Sequence, residues 1–223
     1  MSSPRLVSIQ VGLPKAYGSD GADDPMDRSW QTGFFKQPVD GPLWLGKTNL
    51  VGDGQADLVN HGGEDKAVLC YAARHYPDWR NELARPDLPH GAFGENFTVD
   101  GLDEQTACLG DTYQLGDAVI QVSQPRQPCW KLAWRWRLKE LTALVERSGR
   151  TGWYVRVLRE GEVRPGLPVT LLDRPCPEWT VTKVAQAMRW RKNRPSVAGA
   201  LAGNEYLAAS WRDRLAEAAA GRV

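Results

Sequence analysis

The sequence predicts a mainly β, α+β protein. A closed or half-closed antiparallel barrel with peripheral helices occupies residues 1–175, and a bundle of three short helices occupies residues 176–223. Three observations carry this expectation. Short segments of two-residue hydrophobic period recur up to about residue 172, separated by Gly- and Asp-rich turns. Beyond Pro175 and Pro177 the period changes to 3.6. The chain has 223 residues, 42% of them hydrophobic and 25% charged, enough to bury a core without disulfide or metal staples.

The elements follow in order. Leu6–Val11 alternates, with Val7, Ile9 and Val11 expected on one face and Ser8 and Gln10 on the other. Gly-Asp pairs at 52–53, 110–111 and 116–117 mark turns. Asp65–Tyr71 is expected to open a helix that Tyr76–Ala84 continues or follows. Ala118–Ser123 alternates after the Gly116–Asp117 turn. Leu138, Leu141 and Val145 place one helix over Leu132–Val145. Trp153–Leu158 and Leu167–Leu172 are expected to pair as a hairpin across Arg159–Gly161. In the tail, Val181, Val184, Ala185 and Met188 share a helical face, with Thr180 as N-cap. Pro195 bounds an element, Leu207, Ala208, Trp211 and Leu215 mark a last helix, and Gly221 stops it. A segment this small should dock on the barrel.

Composition excludes several classes. The longest apolar run is the seven residues Ala67–Ala73, whereas a membrane helix needs roughly 20, so no membrane association is expected. The N-terminal residues show no secretory pattern. Four widely spaced cysteines without a CxxC pair argue against a zinc knuckle and for a reducing, cytoplasmic setting. The net charge of +1 conceals an asymmetry. Residues 1–123 carry 9 Lys/Arg against 18 Asp/Glu, and residues 124–223 carry 19 against 9. Two mutually attracting halves of one core explain this. A basic half that holds an anionic ligand explains it too.

Three clusters can carry chemistry. In Ser123–Leu132 (SQPRQPCWKL), Pro125 and Pro128 hold the chain extended and display Arg126 and Cys129 at the barrel rim. A buried, inert thiol is the commoner fate of a free cysteine. Cys129, however, lies between Arg126 and Lys131, and cations favour the thiolate that a nucleophile or soft-metal ligand requires. Cys70, Cys108 and Cys176 read as structural. In the second cluster, His61 precedes Gly62–Gly63 and the segment Glu64–Val68, and can move a proton near neutral pH. A turn histidine with one local hydrogen bond is the alternative. In the third, Gly91–Thr98 (GAFGENFT), Glu95 and Asn96 offer acceptors and a donor to a ligand, or simply close a tight turn.

Together and in this order, HGGEDKAV at 61–68, GAFGENFT at 91–98 and SQPRQPCWKL at 123–132 resemble the MOSC domain, in its bacterial YiiM branch. The resemblance continues through GWYVRVL at 152–158 and PEWTV at 177–181, and upstream from Gly41, so it covers nearly the whole chain. It implies a MOSC-type β-barrel with a three-helix extension. It implies binding of the molybdenum cofactor, a pterin dithiolene carrying Mo and a phosphate, with Cys129 as the metal ligand. Cys129, His61 and Arg126 are then the catalytic trio. Arg126, Lys66, Glu95, Asn96 and Lys131 are the expected cofactor-binding residues. The implied activity is reduction of N-hydroxylated compounds such as 6-N-hydroxylaminopurine by oxygen-atom transfer at Mo. Electrons would come from a separate flavoprotein. Pyridoxal phosphate is not expected, because the aminotransferase-like domain that carries it in MOSC-containing sulfurases is absent from this sequence.

Two other readings stand beside this one. A non-catalytic carrier of the cofactor or its sulfur would use the same cysteine and basic pocket. A nucleic-acid-binding module would use the basic tail (Arg189, Arg191, Lys192, Arg194). It ranks last, because Trp190 and Pro195 interrupt the stripe. Oligomeric state is left open by the sequence.

Overall fold

A computed structural model describes residues 3–222. The strands are β1 (Arg5–Val11), β2 (Lys15–Tyr17), β3 (Trp30–Thr32), β4 (Gln37–Val39), β5 (Leu43–Leu45), β6 (Val68–Ala72), β7 (Phe97–Asp100), β8 (Thr112–Leu115), β9 (Ala118–Pro125), β10 (Trp153–Arg159), β11 (Gly161–Val163) and β12 (Thr170–Asp173). The helices are α1 (Leu58–His61), α2 (His75–Glu82), α3 (Lys131–Trp136), α4 (Leu141–Ser148), α5 (Val181–Arg189), α6 (Pro195–Ala202) and α7 (Ala209–Ala219).

Eight strands form one curled sheet in the order β12-β8-β9-β10-β6-β7-β1-β4, a half-barrel. Its two ends approach each other. Leu6 N–H donates to Leu167 O, Gly166 N–H to Leu6 O and Val169 N–H to Pro4 O, at 2.7 to 2.9 Å. Ile120, Val122, Trp153, Val155 and Val157 point inward and meet Leu6, Ile9, Val68, Cys70 and Phe97 in the core. The β8–β9 hairpin turns at Gly116–Asp117 as the sequence predicts, with Gly116 at φ +59°. A side chain there would collide with Glu162 O.

Several local expectations are corrected. Val68–Ala72 is a fully buried strand rather than part of a helix; only a 3-10 turn at Glu64–Lys66 precedes it. An apolar run buried on both sides has no period by which to tell strand from helix. This strand pairs in parallel with β7, so the sheet is mixed. Strand β10 pairs with β6 and β9, and the expected hairpin with residues 167–172 does not form. Instead β11 pairs with β5, and β12 with β8. Residues 132–145 form two helices, parted at Arg137 by a left-handed backbone (φ +54°). A register shift in β1 between Leu6 and Ser8 breaks its alternation, so Leu6, Ile9 and Gln10 are all buried.

The tail forms the expected three helices. Thr180 Oγ1 accepts from Lys183 N–H, and Pro195 opens α6. Val184, Met188, Leu201, Leu207, Trp211 and Leu215 pack on one another and on Leu109 of the half-barrel. Backbone bonds join the two parts. Leu109 N–H donates to Trp179 O, Val181 N–H to Ala107 O and Ala208 N–H to Ser123 O. No helix among the described residues is long and apolar enough to cross a membrane.

Candidate functional site

The segment Gly91–Thr98 folds around its own carboxylate. Glu95 is fully buried and accepts from Gly91 N–H, Phe93 N–H, Thr98 Oγ1 and the Tyr76 hydroxyl. With the amides turned inward, the carbonyls turn outward. Gly91 O accepts from Arg135, Ala92 O from Trp136 Nε1, and Phe93 O from Arg126 Nη2 at 3.0 Å. Gly94 has φ +83°, and a β-carbon there would lie 2.5 Å from the Phe34 ring, so only glycine lets Phe34 close this wall. Asn96 stitches β6 to β7, accepting from Leu69 N–H and donating to Gln10 O and Asp53 Oδ2. Asp53 also pairs with Lys36.

An open cleft lies on the outer face of the half-barrel. Trp153 and Val155 point into the core, so Tyr154 between them faces the cleft. Arg126 follows the end of β9, where its N–H donates to Gly152 O. The turn after it presents Cys129 and Lys131, and Thr142 Oγ1 donates to Cys129 O. Opposite stand His61, the last residue of α1, and Lys66 of the 3-10 turn. Asp57 caps α1 by accepting from Asn60. These hydrogen bonds hold its carboxyl below the usual carboxylate range. Gly54–Ala56 and Thr32–Phe34 close the remaining wall.

The cleft is cationic. Arg126 is only 4% exposed, yet its guanidinium meets carbonyls alone, those of Phe93 and Thr151. Arg126, Lys66 and Lys131 have no carboxylate ion-pair partner among the described residues. Lys36 is the exception, neutralised by Asp53. Burial, and then the charge of Lys131, push the His61 pKa below 6.5. The ring is therefore neutral at pH 7 and can accept a proton. Burial also lowers the Lys66 pKa. It raises that of Tyr154, whose hydroxyl stays protonated and makes no hydrogen bond to the described residues. A buried cation with no counter-charge is costly unless an anion completes it.

Cys129, His61, Arg126, Lys66, Lys131 and Asn96 thus line one cleft, although their segments are far apart in sequence. The Asn96 side chain is already engaged by its neighbours. Glu95 does not line the cleft; it stands behind it and shapes the loop. Lys36, Tyr154, Gln127 and Asp57 line the cleft and were not singled out by sequence reasoning. Tyr154 carried a signal, since it lies in an alternating strand between core residues. Cys129 is half-buried, whereas Cys70, Cys108 and Cys176 are buried.

The half-barrel agrees with the comparisons with known proteins. The family model for the MOSC domain matches residues 57–170. Uncharacterized protein YflK of Bacillus subtilis is 49% identical over 169 residues, 76% of this chain and 73% of that protein. A Gibberella moniliformis protein named "Reductase" is 42% identical over 161 residues, 71% of this chain but only 28% of that protein. The crystal structure of YiiM from Geobacillus stearothermophilus superposes with TM-score 0.80 at 34% identity, covering 97% of this chain and 99% of that one. The chain belongs to the MOSC domain family, in its YiiM branch.

Proposed function

We propose that this protein is a molybdenum-cofactor-dependent reductase of N-hydroxylated compounds, of hydroxylaminopurine type, served by a separate flavoprotein electron donor. The observation that carries the reading is one accessible thiol, Cys129, in a cleft with the uncompensated Arg126 guanidinium. The donor set fits the group. No cluster of three metal-ligating side chains occurs among the described residues, and Cys129 supplies the thiol of the cleft. A cofactor that brings its own sulfur donors and an anionic phosphate asks for one protein thiolate and several cations. When bound, the cofactor supplies two-electron oxygen-atom-transfer chemistry.

The chain's own residues do the rest. Cys129 anchors the metal. Arg126, with two fixed carbonyl contacts, offers its remaining donors to the anionic ligand without needing to move. Lys66 and Lys131 add charge at the mouth. Converting a hydroxylamine to an amine and water consumes two electrons and two protons. His61, held neutral, accepts a proton from solvent and passes it to the departing oxygen. The Tyr154 hydroxyl donates a hydrogen bond to the ligand atom beside it. Trp130 follows Cys129 directly and is 46% exposed. Trp30 and Trp134 support it, with ring centroids at 5.3 and 4.3 Å. Such a shelf suits a flat heterocycle. The relative named "Reductase" supports the reaction class.

The test is molybdenum content and hydroxylaminopurine reduction, on protein purified from a host that makes the cofactor. Wild type should hold near-stoichiometric Mo and turn over with a chemical reductant. Cys129→Ser should lose both while keeping its fold. Equal Mo in the variant removes Cys129 as the anchor, and Mo binding without reduction of any N-hydroxylated compound makes the protein a carrier.

A further inference from the structure

We infer that Glu104, a buried carboxylate outside the cleft, is a positioning residue for Arg126, acting with His75 through the peptide group between Thr151 and Gly152. Arg126 donates from Nη1 to Thr151 O at 3.4 Å, from Nη2 to Phe93 O at 3.0 Å and from its main-chain N–H to Gly152 O at 3.0 Å. Two of these acceptors belong to one dipeptide. The N–H of the same Thr151–Gly152 peptide group donates to Glu104 Oε1 at 2.7 Å. A peptide group is planar, so a bond that fixes its N–H end also fixes the direction of its C=O end. The carboxylate at one end and the guanidinium at the other polarise the group in the same sense, which strengthens both bonds. Gly152 has φ +80°, and an added β-carbon would lie 2.5 Å from Cys70 O, so only glycine lets this turn pack on β6.

Glu104 is itself held on three sides. Its Oε2 lies 2.7 Å from Nε2 of the buried His75, at the start of α2. The preceding residue, Arg74, pairs with Asp103 at 2.6 Å, so two successive residues of one segment grip two of the other. Asp103 also closes the local turn by accepting from Gln105 N–H and Thr106 N–H. The Glu104 carbonyl accepts from the N–H and the hydroxyl of Thr182, in the first turn of α5. Arg126 therefore has two buried carboxylates at one remove, Glu95 behind Phe93 and Glu104 behind the Thr151–Gly152 peptide. A carboxylate in direct contact would fix the guanidinium equally well, but would neutralise it and occupy the donors that face the cleft. Acting through main-chain carbonyls, the two carboxylates orient Arg126 and leave its charge free.

The inference rests on the proposed reading of Arg126 as the group that grips the ligand, and two measurements separate the two. The first needs no ligand. Full-length protein prepared without cofactor is studied by NMR of the arginine side chains, with the Arg126 signals identified by their loss in Arg126→Lys. Wild type should show separate signals for Nη1 and Nη2, because fixed acceptors slow the rotation of the guanidinium. The signals should merge in Glu104→Met, which fills the space without an acceptor. They should stay separate in Glu104→Gln, which still accepts from Gly152 N–H. Merged signals in wild type, or separate ones in folded Glu104→Met, overturn the inference. If Glu104→Met does not fold, His75→Phe removes the other partner of the carboxylate, and unchanged signals there overturn it. The second measurement is a double-mutant cycle on binding of inorganic phosphate, used as a probe, by calorimetry at about 0.15 M salt. Arg126→Gln and Glu104→Met should each weaken binding about tenfold, and the double variant no further. Additive losses mean that Glu104 does not act through Arg126, and overturn the positioning role. Unchanged affinity in Arg126→Gln overturns the reading of Arg126 as the ligand's grip, while the NMR result still decides whether Glu104 positions it.

Discussion

Arg126 and His61 set the character of the cleft, one by keeping its charge and the other by giving it up. Arg126 is fixed by main-chain carbonyls, which satisfy its N–H groups without cancelling its charge. His61 sits among cations in a half-buried position, and both effects favour the neutral ring. The consequence for stability has a definite sign. Below about pH 6.5 the unfolded chain binds a proton at this histidine that the folded chain resists, so stability falls as the pH drops through that range. Burial lowers the His90 pKa as well, so the comparison must isolate one ring. The melting temperature of wild type should drop more between about pH 7.5 and 5.5 than that of His61→Gln. Equal drops would mean that His61 is not held neutral by the fold.

Among the elements, the 91–98 loop matters most, because it presents nothing of its central carboxylate to the cleft yet shapes one wall. Its amides converge on Glu95, so its carbonyls are free to hold Arg126, Arg135 and Trp136. Glu95→Ala leaves two buried N–H groups and two hydroxyls without an acceptor. The expected cost is about 3 kcal/mol, from a desolvation penalty of roughly 1–3 kcal/mol per orphaned group partly relieved by water. Denaturant melts measure it. Ligand affinity should fall with it, because Arg126 loses its Phe93 support. A stable variant with weakened binding would instead make Glu95 a direct ligand contact. At the neighbouring element, Asp65 lies in the 3-10 turn Glu64–Lys66 and does not open a helix. It pairs with Arg156 and accepts from Ala209, tying the half-barrel to the tail.

At the scale of the molecule, the half-barrel and the tail share a boundary of apolar packing and main-chain hydrogen bonds. Leu109 of the half-barrel lies in one cluster with Val184, Met188, Leu207 and Trp211. Removing residues 176–223 would expose that face and leave the Leu109 N–H and Ser123 O without their tail partners. The truncated protein should aggregate in sedimentation experiments and melt several degrees lower than the full chain. A monomeric truncated protein of unchanged melting temperature would make the tail an independent module.

Local pattern by itself determined much of this protein. The β8–β9 turn follows from Gly-Asp chemistry, and the three tail helices follow from their hydrophobic period and caps. The segments bearing His61, Arg126 and Cys129 stand out because glycines or prolines set them off from regular structure. Tertiary structure alone decided the rest. The apolar run at 67–73 carries no period, so only the partners β7 and β10 make it a central strand. Glu95 turns inward, and Tyr154 and Lys36 reach the cleft, because of pairings with distant segments. Arg214 meets Gln127 across 87 residues of chain. A local pattern records how each segment buries its own face; which distant segment covers that face is settled by long-range packing and by the pairing of buried polar groups.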